Sequence, residues 1–264
     1  MEAIDIIKSN YIRELLTNGV REDARGPNDF RGVSIKPGII EHAEGSAQVD
    51  LGATKVLAGV KLVMGEPMAD TPDQGTISMA AELLPLASAE YETGPPSPQS
   101  IELARVVDRG IRAGNCVDLA DLLVAEGKAW SVFVDLYILN YAGNLFDASE
   151  LAVMSALMNT KVPKYEDDKV VREERIKDIK LDNIVTSATF AKIGDHVLLD
   201  MNRNEENAAD ARLTVATDGS AVRAMQKGLS GGISVNEIDD MVGIALAKHG
   251  ELKNLMEKAT KRSL

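Results

Sequence analysis

The chain has 264 residues and a formal charge of −12, from 29 Lys+Arg against 41 Asp+Glu, which excludes coating of nucleic acid by bulk charge while leaving a local basic stripe open. Aromatic residues are only 4% of the total, too few for a platform that stacks successive bases of a single strand. A lone cysteine, Cys116, excludes an intrachain disulfide, and neither a signal peptide nor a spanning helix fits a start carrying Glu2 and Asp5 and an apolar run, Val56 to Met64, that Lys61 interrupts. The expectation is a soluble, reduced, cytoplasmic protein with no membrane contact, no metal and no cofactor.

In chain order, Ile4, Ile7, Tyr11, Ile12 and Leu15 recur at helical spacing, so Ile4 to Leu16 is predicted as a helix. The polar stretch 21–31 is read as extended or irregular. Ser34 to Ile40, Gly45 to Leu51 and Lys55 to Met64 are predicted strands of an antiparallel sheet. Gly94-Pro95-Pro96-Ser97-Pro98 is a breaker followed by a helix start, with Ser97 as N-cap, running to about Arg112. Ala129 to Asn140 alternates strongly and is predicted as a strand, followed by a helix over Ala148 to Met158 with Asp147 as its cap. Strands resume from Ile184, at Val197 to Asp200 and Leu213 to Thr217, and Ser234-Val-Asn-Glu237 is a capping box opening a long C-terminal helix. Strands first and helices after, in each half, argue an α+β fold. The predicted divisions are an N-terminal helix and arm (1–30), a first lobe (31–162), a charged linker (163–183) and a second lobe (184–264).

Arg105, Arg109 and Arg112 share one face of the helix that starts at Pro98, at spacings of i, i+4 and i+7. Seven residues of helix span about 10 Å, a reach that suits consecutive phosphates gripped by guanidiniums. The competing reading is a solvated face paired with Glu102 and Asp108. Glu205, Glu206 and Asp210, with Asp200 upstream, either hold Mg²⁺ or supply a general acid, or simply form a solvated hairpin. Gly228-Leu-Ser230-Gly-Gly232 matches the G-x-S-x-G pattern of a nucleophile elbow, but Asp239 and His249 follow only inside the next helix, so it is read as a turn between strand and helix. His42, His196 and His249 form no pair at ligand spacing and are read as structural or surface residues.

Arg21-Glu-Asp-Ala-Arg25-Gly, Gly52-Ala-Thr54-Lys55-Val-Leu-Ala, Glu102-Leu-Ala-Arg105-Val-Val-Asp-Arg109-Gly-Ile-Arg112 and Asp210-Ala-Arg212-Leu-Thr-Val-Ala together resemble the RNase PH superfamily. Within it the match is to non-catalytic RNase PH-like subunits of the archaeal exosome, and it covers about residues 20 to 255. The resemblance implies a two-lobed α+β fold with sheets packed against helices. It implies a ring of three heterodimers, in which a catalytic RNase PH-like partner carries out phosphate-dependent 3′-to-5′ degradation of single-stranded RNA beneath RNA-binding cap subunits. It further implies RNA contacts for Arg105 and Arg109, then Arg112, and a place for Lys55 either in the same groove or at an ordinary strand end.

Active members of the superfamily carry a Gly-Thr-Arg phosphate-binding segment before a helix, where Leu145 and Phe146 stand here, ahead of Asp147. The position is expected to be closed to phosphate, since a carboxylate at the helix start takes the N–H groups an anion would need. Asp210 falls at an acidic position used near the scissile bond and is a vestigial candidate, retained by pairing with Arg212 or by capping a turn. The expected function is a non-catalytic exosome ring subunit that holds RNA for its partner. The competing expectations are an autonomous phosphorolytic or metal-dependent 3′-to-5′ exoribonuclease using Asp210, Glu205 and Glu206, and a purely structural ring subunit that never meets RNA.

Overall fold

Local signals set the helix ends of the computed structural model, which describes residues 3–264; Met1 and Glu2 lie outside the described residues. Helix α1 (Ala3–Thr17) is followed by the irregular arm predicted for 21–31. Strands β1 (Val33–Pro37), β2 (Gly45–Leu51), β3 (Thr54–Gly65), β4 (Thr76–Leu83), β5 (Leu123–Ala125) and β6 (Lys128–Asn140) form one sheet in the order β1-β2-β3-β6-β4, with β5 beside β6. All its pairs are antiparallel except β4 with β6. On β6 the alternation read from the sequence is realised: Trp130, Val132, Val134, Leu136 and Ile138 are buried, whereas Phe133 and Asp135 are exposed.

Helix α2 (Pro98–Ala113) starts at Ser97, whose side chain accepts from Ser100 N–H at 3.2 Å, with Pro98 at the first turn. Helix α3 (Leu145–Met158) is buried on every side, as a helix apolar all round must be. It packs on β2 and β3 of the first sheet and on β9 of the second. The second sheet, in the order β10-β9-β11-β12, is antiparallel and made of β9 (Thr186–Ile193), β10 (His196–Leu199), β11 (Ala211–Thr217) and β12 (Val222–Gly228). Helix α4 (Arg203–Ala208) packs against α1, and α5 (Val235–Thr260) opens at the Ser234–Glu237 capping box and covers β9 and β11. Between β12 and α5 lies the glycine-rich turn read at 228–232.

One expectation is corrected, and two features appear that local signals did not announce. Asp147 is not the cap of α3; Asn144 is, in a left-handed conformation (φ 52°), and its side chain accepts from Asp147 N–H. The stretch 163–183, expected as a charged linker, lies largely in a hairpin, β7 (Lys161–Glu166) with β8 (Lys169–Asp178), fastened to the first sheet by Arg172 on Glu44 at 2.6 Å. Strand β4, with its weak alternation, was not anticipated, and its place at the sheet edge receives α2.

Candidate nucleic-acid interface and a closed phosphate position

Burial of Leu103, Val107 and Ile111 orients α2, and the arginines follow on the other side. Arg105, Arg109 and Arg112 are all exposed. Arg105 has no ionic or hydrogen-bonded partner among the described residues, because Glu102 is taken by Arg212 at 2.6 Å. Arg109 Nη1 donates to Gln226 Oε1 on β12 at 3.1 Å. Arg112 is stapled: its Nε donates to both Asp108 oxygens, at 2.7 and 2.9 Å, and its Nη2 donates to the Ile77 carbonyl. The helix thus presents two lightly committed guanidiniums and one bound, so the solvated-pair reading holds for Arg112 with Asp108. Lys55 stands apart at the start of β3, 3.8 Å from Asp50, its cross-strand neighbour.

The start of α3 is occupied. Gly143 (φ +96°) lies so close to the chain at Met201 and Asn202 that a Cβ would sit 2.6 Å from the Met201 carbonyl, and this turn aims Asn144 N–H at Glu206 Oε2, 3.0 Å away. A carboxylate therefore already fills the place where an anion would meet the positive end of the helix. Leu145 and Phe146 are buried, and the Arg212 guanidinium lies 4.2 Å over the Phe146 ring. In front runs a cleft of ≈ 390 Å³ lined by Glu90, Tyr141, Arg203, Glu206 and Arg212 among others. Its cations are spoken for: Arg203 pairs with Glu90 at 2.5 Å and covers Tyr141 at 4.1 Å, and Arg212 pairs with Glu102. The expected closure is thus present, but Glu206 provides it, not Asp147.

Asp147 turns inward. Its carboxylate accepts from Asn144 Nδ2, Ser187 Oγ, Thr189 N and Thr189 Oγ1 at 2.7–2.8 Å, tying α3 to β9. Burial pushes its carboxyl up, against the pull of those hydrogen bonds. One turn on, Glu150 is buried with no partner on Oε1, and burial, then the Asp147 charge, pushes its carboxyl well above the ordinary range. A carboxyl raised in the folded state contributes stability below the ordinary carboxylate range and loses it as pH rises toward the raised value. Glu150→Gln is accordingly expected to raise the thermal midpoint at about pH 8, with the gain fading toward about pH 4; a gain that ignores pH in melting curves would contradict this.

The acids weighed as metal ligands are each engaged separately. Glu205 binds Arg21 through two bonds, at 2.7 and 2.9 Å, with both side chains buried, and it closes the α4 capping box. Asp200 accepts from Arg25 Nη1 (3.1 Å), from Arg31 Nε (3.0 Å), Nη2 (2.8 Å) and backbone N–H (2.7 Å), and from Asn144 Nδ2 (2.7 Å). Among the described residues no group of three or more His, Cys, Asp or Glu is placed to hold a metal ion. Arg21 and Arg25 were legible only as parts of a motif and Arg31 only as the end of a polar stretch; their buried acidic partners lie far along the chain.

Of the two roles expected for Asp210, the structure shows the cap of a turn, at Gly194 between β9 and β10, and not the pair with Arg212. Asp210 takes two bonds from Arg13 of α1, at 2.8 and 3.1 Å, and one from Gly194 N–H at 2.7 Å, and Arg13 holds its carboxyl below the ordinary value. This pair is partly exposed, so Asp210→Asn is expected to cost at most about 1 kcal/mol. A drop in the melting temperature of more than about 4 °C in the folded variant would contradict that. His249 is buried against Thr186 Oγ1 at 3.0 Å and Cys116 is a buried free thiol, so both serve packing. No described helix is long and apolar enough to cross a membrane.

Comparison with known proteins follows the same outline. Two family models match, 3′ exoribonuclease family domain 1 over residues 29–163 and domain 2 over 183–248. The chain is 47% identical over 244 residues to the exosome complex component Rrp42 of Archaeoglobus fulgidus, covering 91% of this chain and 92% of that one. It is 42% identical over 259 residues to the same component of Thermococcus gammatolerans, with 96% and 95% covered. A solved structure of the Archaeoglobus fulgidus exosome with RNA bound to the active site contains a chain that superposes with a TM-score of 0.90 at 42% identity, covering 96% of this chain and 99% of that one.

Proposed function

Because the chain belongs to the 3′ exoribonuclease family with the RNase PH fold, we propose that it is the non-catalytic, Rrp42-type subunit of an archaeal exosome ring. In this reading it pairs with a catalytic RNase PH-like subunit, three such pairs close the ring, RNA-binding cap subunits sit on it, and the complex works in the cytoplasm. The observation that carries the non-catalytic reading is the start of α3, where Leu145 and Phe146 are buried and Glu206 takes the Asn144 N–H. Phosphorolysis needs inorganic phosphate at that spot, and a resident carboxylate repels it. Asp210 without bound phosphate has no nucleophile to assist.

The RNA role falls to α2. Arg105 and Arg109, exposed on a helix whose inner face is locked into the core, grip the phosphodiester backbone without reading sequence, while the partner binds phosphate and performs the chemistry. Arg112, held by Asp108, acts more weakly, and Lys55 extends the same basic surface only if the strand passes the start of β3.

The test is nucleotide release from poly(A) by the purified chain, with and without inorganic phosphate and Mg²⁺, beside the same reaction with the catalytic partner added. Silence alone and nucleoside diphosphate from the mixture are expected. Nucleoside diphosphate from the chain alone would overturn the reading.

A further inference from the structure

Glu150 is a buried ionisable group with no role so far. It is 2% exposed, and its Oε1 has no partner among the described residues, an arrangement that costs free energy unless something meets the carboxyl. Space is made for it: Gly110 on α2 lies against it so closely that a Cβ there would come within 2.9 Å of Oε1 and 3.1 Å of Oε2. Gly110 is the neighbour of Arg109. Between α2, α3 and β12 a cavity of ≈ 10 Å³ is lined by Arg109, Glu150, Ser187, Thr214 and Gln226 among others. That is the room of one water molecule, and a water is held where two to four polar groups converge. At one side Arg109 already donates to Gln226; at the other, Ser187 Oγ donates to Asp147 and leaves its lone pairs available.

We propose that this cavity binds a single water that bridges the Glu150 carboxyl to the Arg109–Gln226 pair, making Glu150 a positioning residue for the guanidinium offered to RNA. A long, rotamer-rich side chain seated in advance loses less entropy when a phosphate arrives, so the seat strengthens RNA binding without touching RNA. This inference rests on the RNA role of Arg109. It explains why a carboxyl is kept at a depth where an apolar side chain of equal volume packs without desolvation cost.

The experiment measures RNA affinity of the complete complex carrying Glu150→Leu or Glu150→Gln, each with and without Arg109→Ala. Glu150→Leu, which removes the bridge and keeps the volume, is expected to bind RNA about fivefold more weakly, and Glu150→Gln, which still holds a water, to stay within about twofold. In the Arg109→Ala background Glu150→Leu should change nothing further. An undiminished affinity for Glu150→Leu, or an equal loss when Arg109 is already absent, overturns the inference and leaves the RNA role of Arg109 standing. Wild-type affinity for Arg109→Ala alone instead removes that role, and the inference with it. Should Glu150→Leu not assemble, a high-resolution crystal structure of the unaltered complex decides: water density within hydrogen-bond distance of the Glu150 carboxyl is expected, and a dry cavity overturns the bridge.

Discussion

An Arg105→Glu/Arg109→Glu double variant, assembled with the catalytic subunit proposed as its partner, is expected to bind single-stranded RNA about a hundredfold more weakly than the unaltered complex at moderate salt. Each guanidinium that neutralises a phosphate contributes about 0.7 to the slope of log affinity against log salt for a single strand. Losing two such contacts should flatten that slope by roughly 1.4, and the added carboxylates repel the same phosphates. Poly(A) and poly(U) should suffer alike, because backbone contacts carry no sequence information. Arg112→Ala should cost far less, its guanidinium being held by Asp108 and the Ile77 carbonyl. Unchanged RNA affinity and salt slope in the double variant would return α2 to the status of a solvated face and favour a purely structural subunit.

Asp200→Ala is expected to be the most damaging single change to stability. The carboxylate is fully buried and receives Arg25, Arg31 and Asn144, so truncation leaves the Arg31 guanidinium, 9% exposed, without its counter-charge and Arg25 with Asp23 alone. Breaking a buried pair of this kind costs about 3–5 kcal/mol, which for a chain of this size lowers the melting temperature by roughly 10 °C. Asp200→Asn, which keeps one acceptor oxygen, should lie between. A thermal midpoint for Asp200→Ala within about two degrees of the unaltered chain would mean that the arm is held by something else.

What could be read from the sequence was what is encoded locally. Ser97-Pro98 and Ser234 with Glu237 announce helix starts because the capping partners lie three residues apart, and β6 announces itself by period-two burial. Misreadings have physical reasons. Asp147 has the composition of a cap, but Asn144 tolerates the left-handed turn that a cap here requires, which frees Asp147 to reach β9. The hairpin β7–β8 is mostly exposed on both faces and held by charge pairs such as Lys164 with Glu174, so it carries no apolar alternation to notice. Closure of the phosphate position was legible from Leu145 and Phe146, whereas Glu206, its actual occupant, reaches that place through the folded chain from 62 residues away. The same holds for the two acids that receive the arm arginines.

The distance between those partners has a consequence for biosynthesis. Arg25 waits for Asp200, 175 residues on, and Arg13 for Asp210, 197 residues on. At a translation rate of about 5–20 residues per second, these arginines are synthesised roughly ten to forty seconds before their acids exist. During that interval Arg25 has only Asp23 beside it, and Arg13, Arg21 and Arg31 lack their native acids. Closure of the arm is therefore a late and slowly rewarded step of folding, since long loops must close before their contacts repay the entropy. A nascent chain stalled before residue 200 should leave the arm open to proteases that cannot cut it in the finished protein.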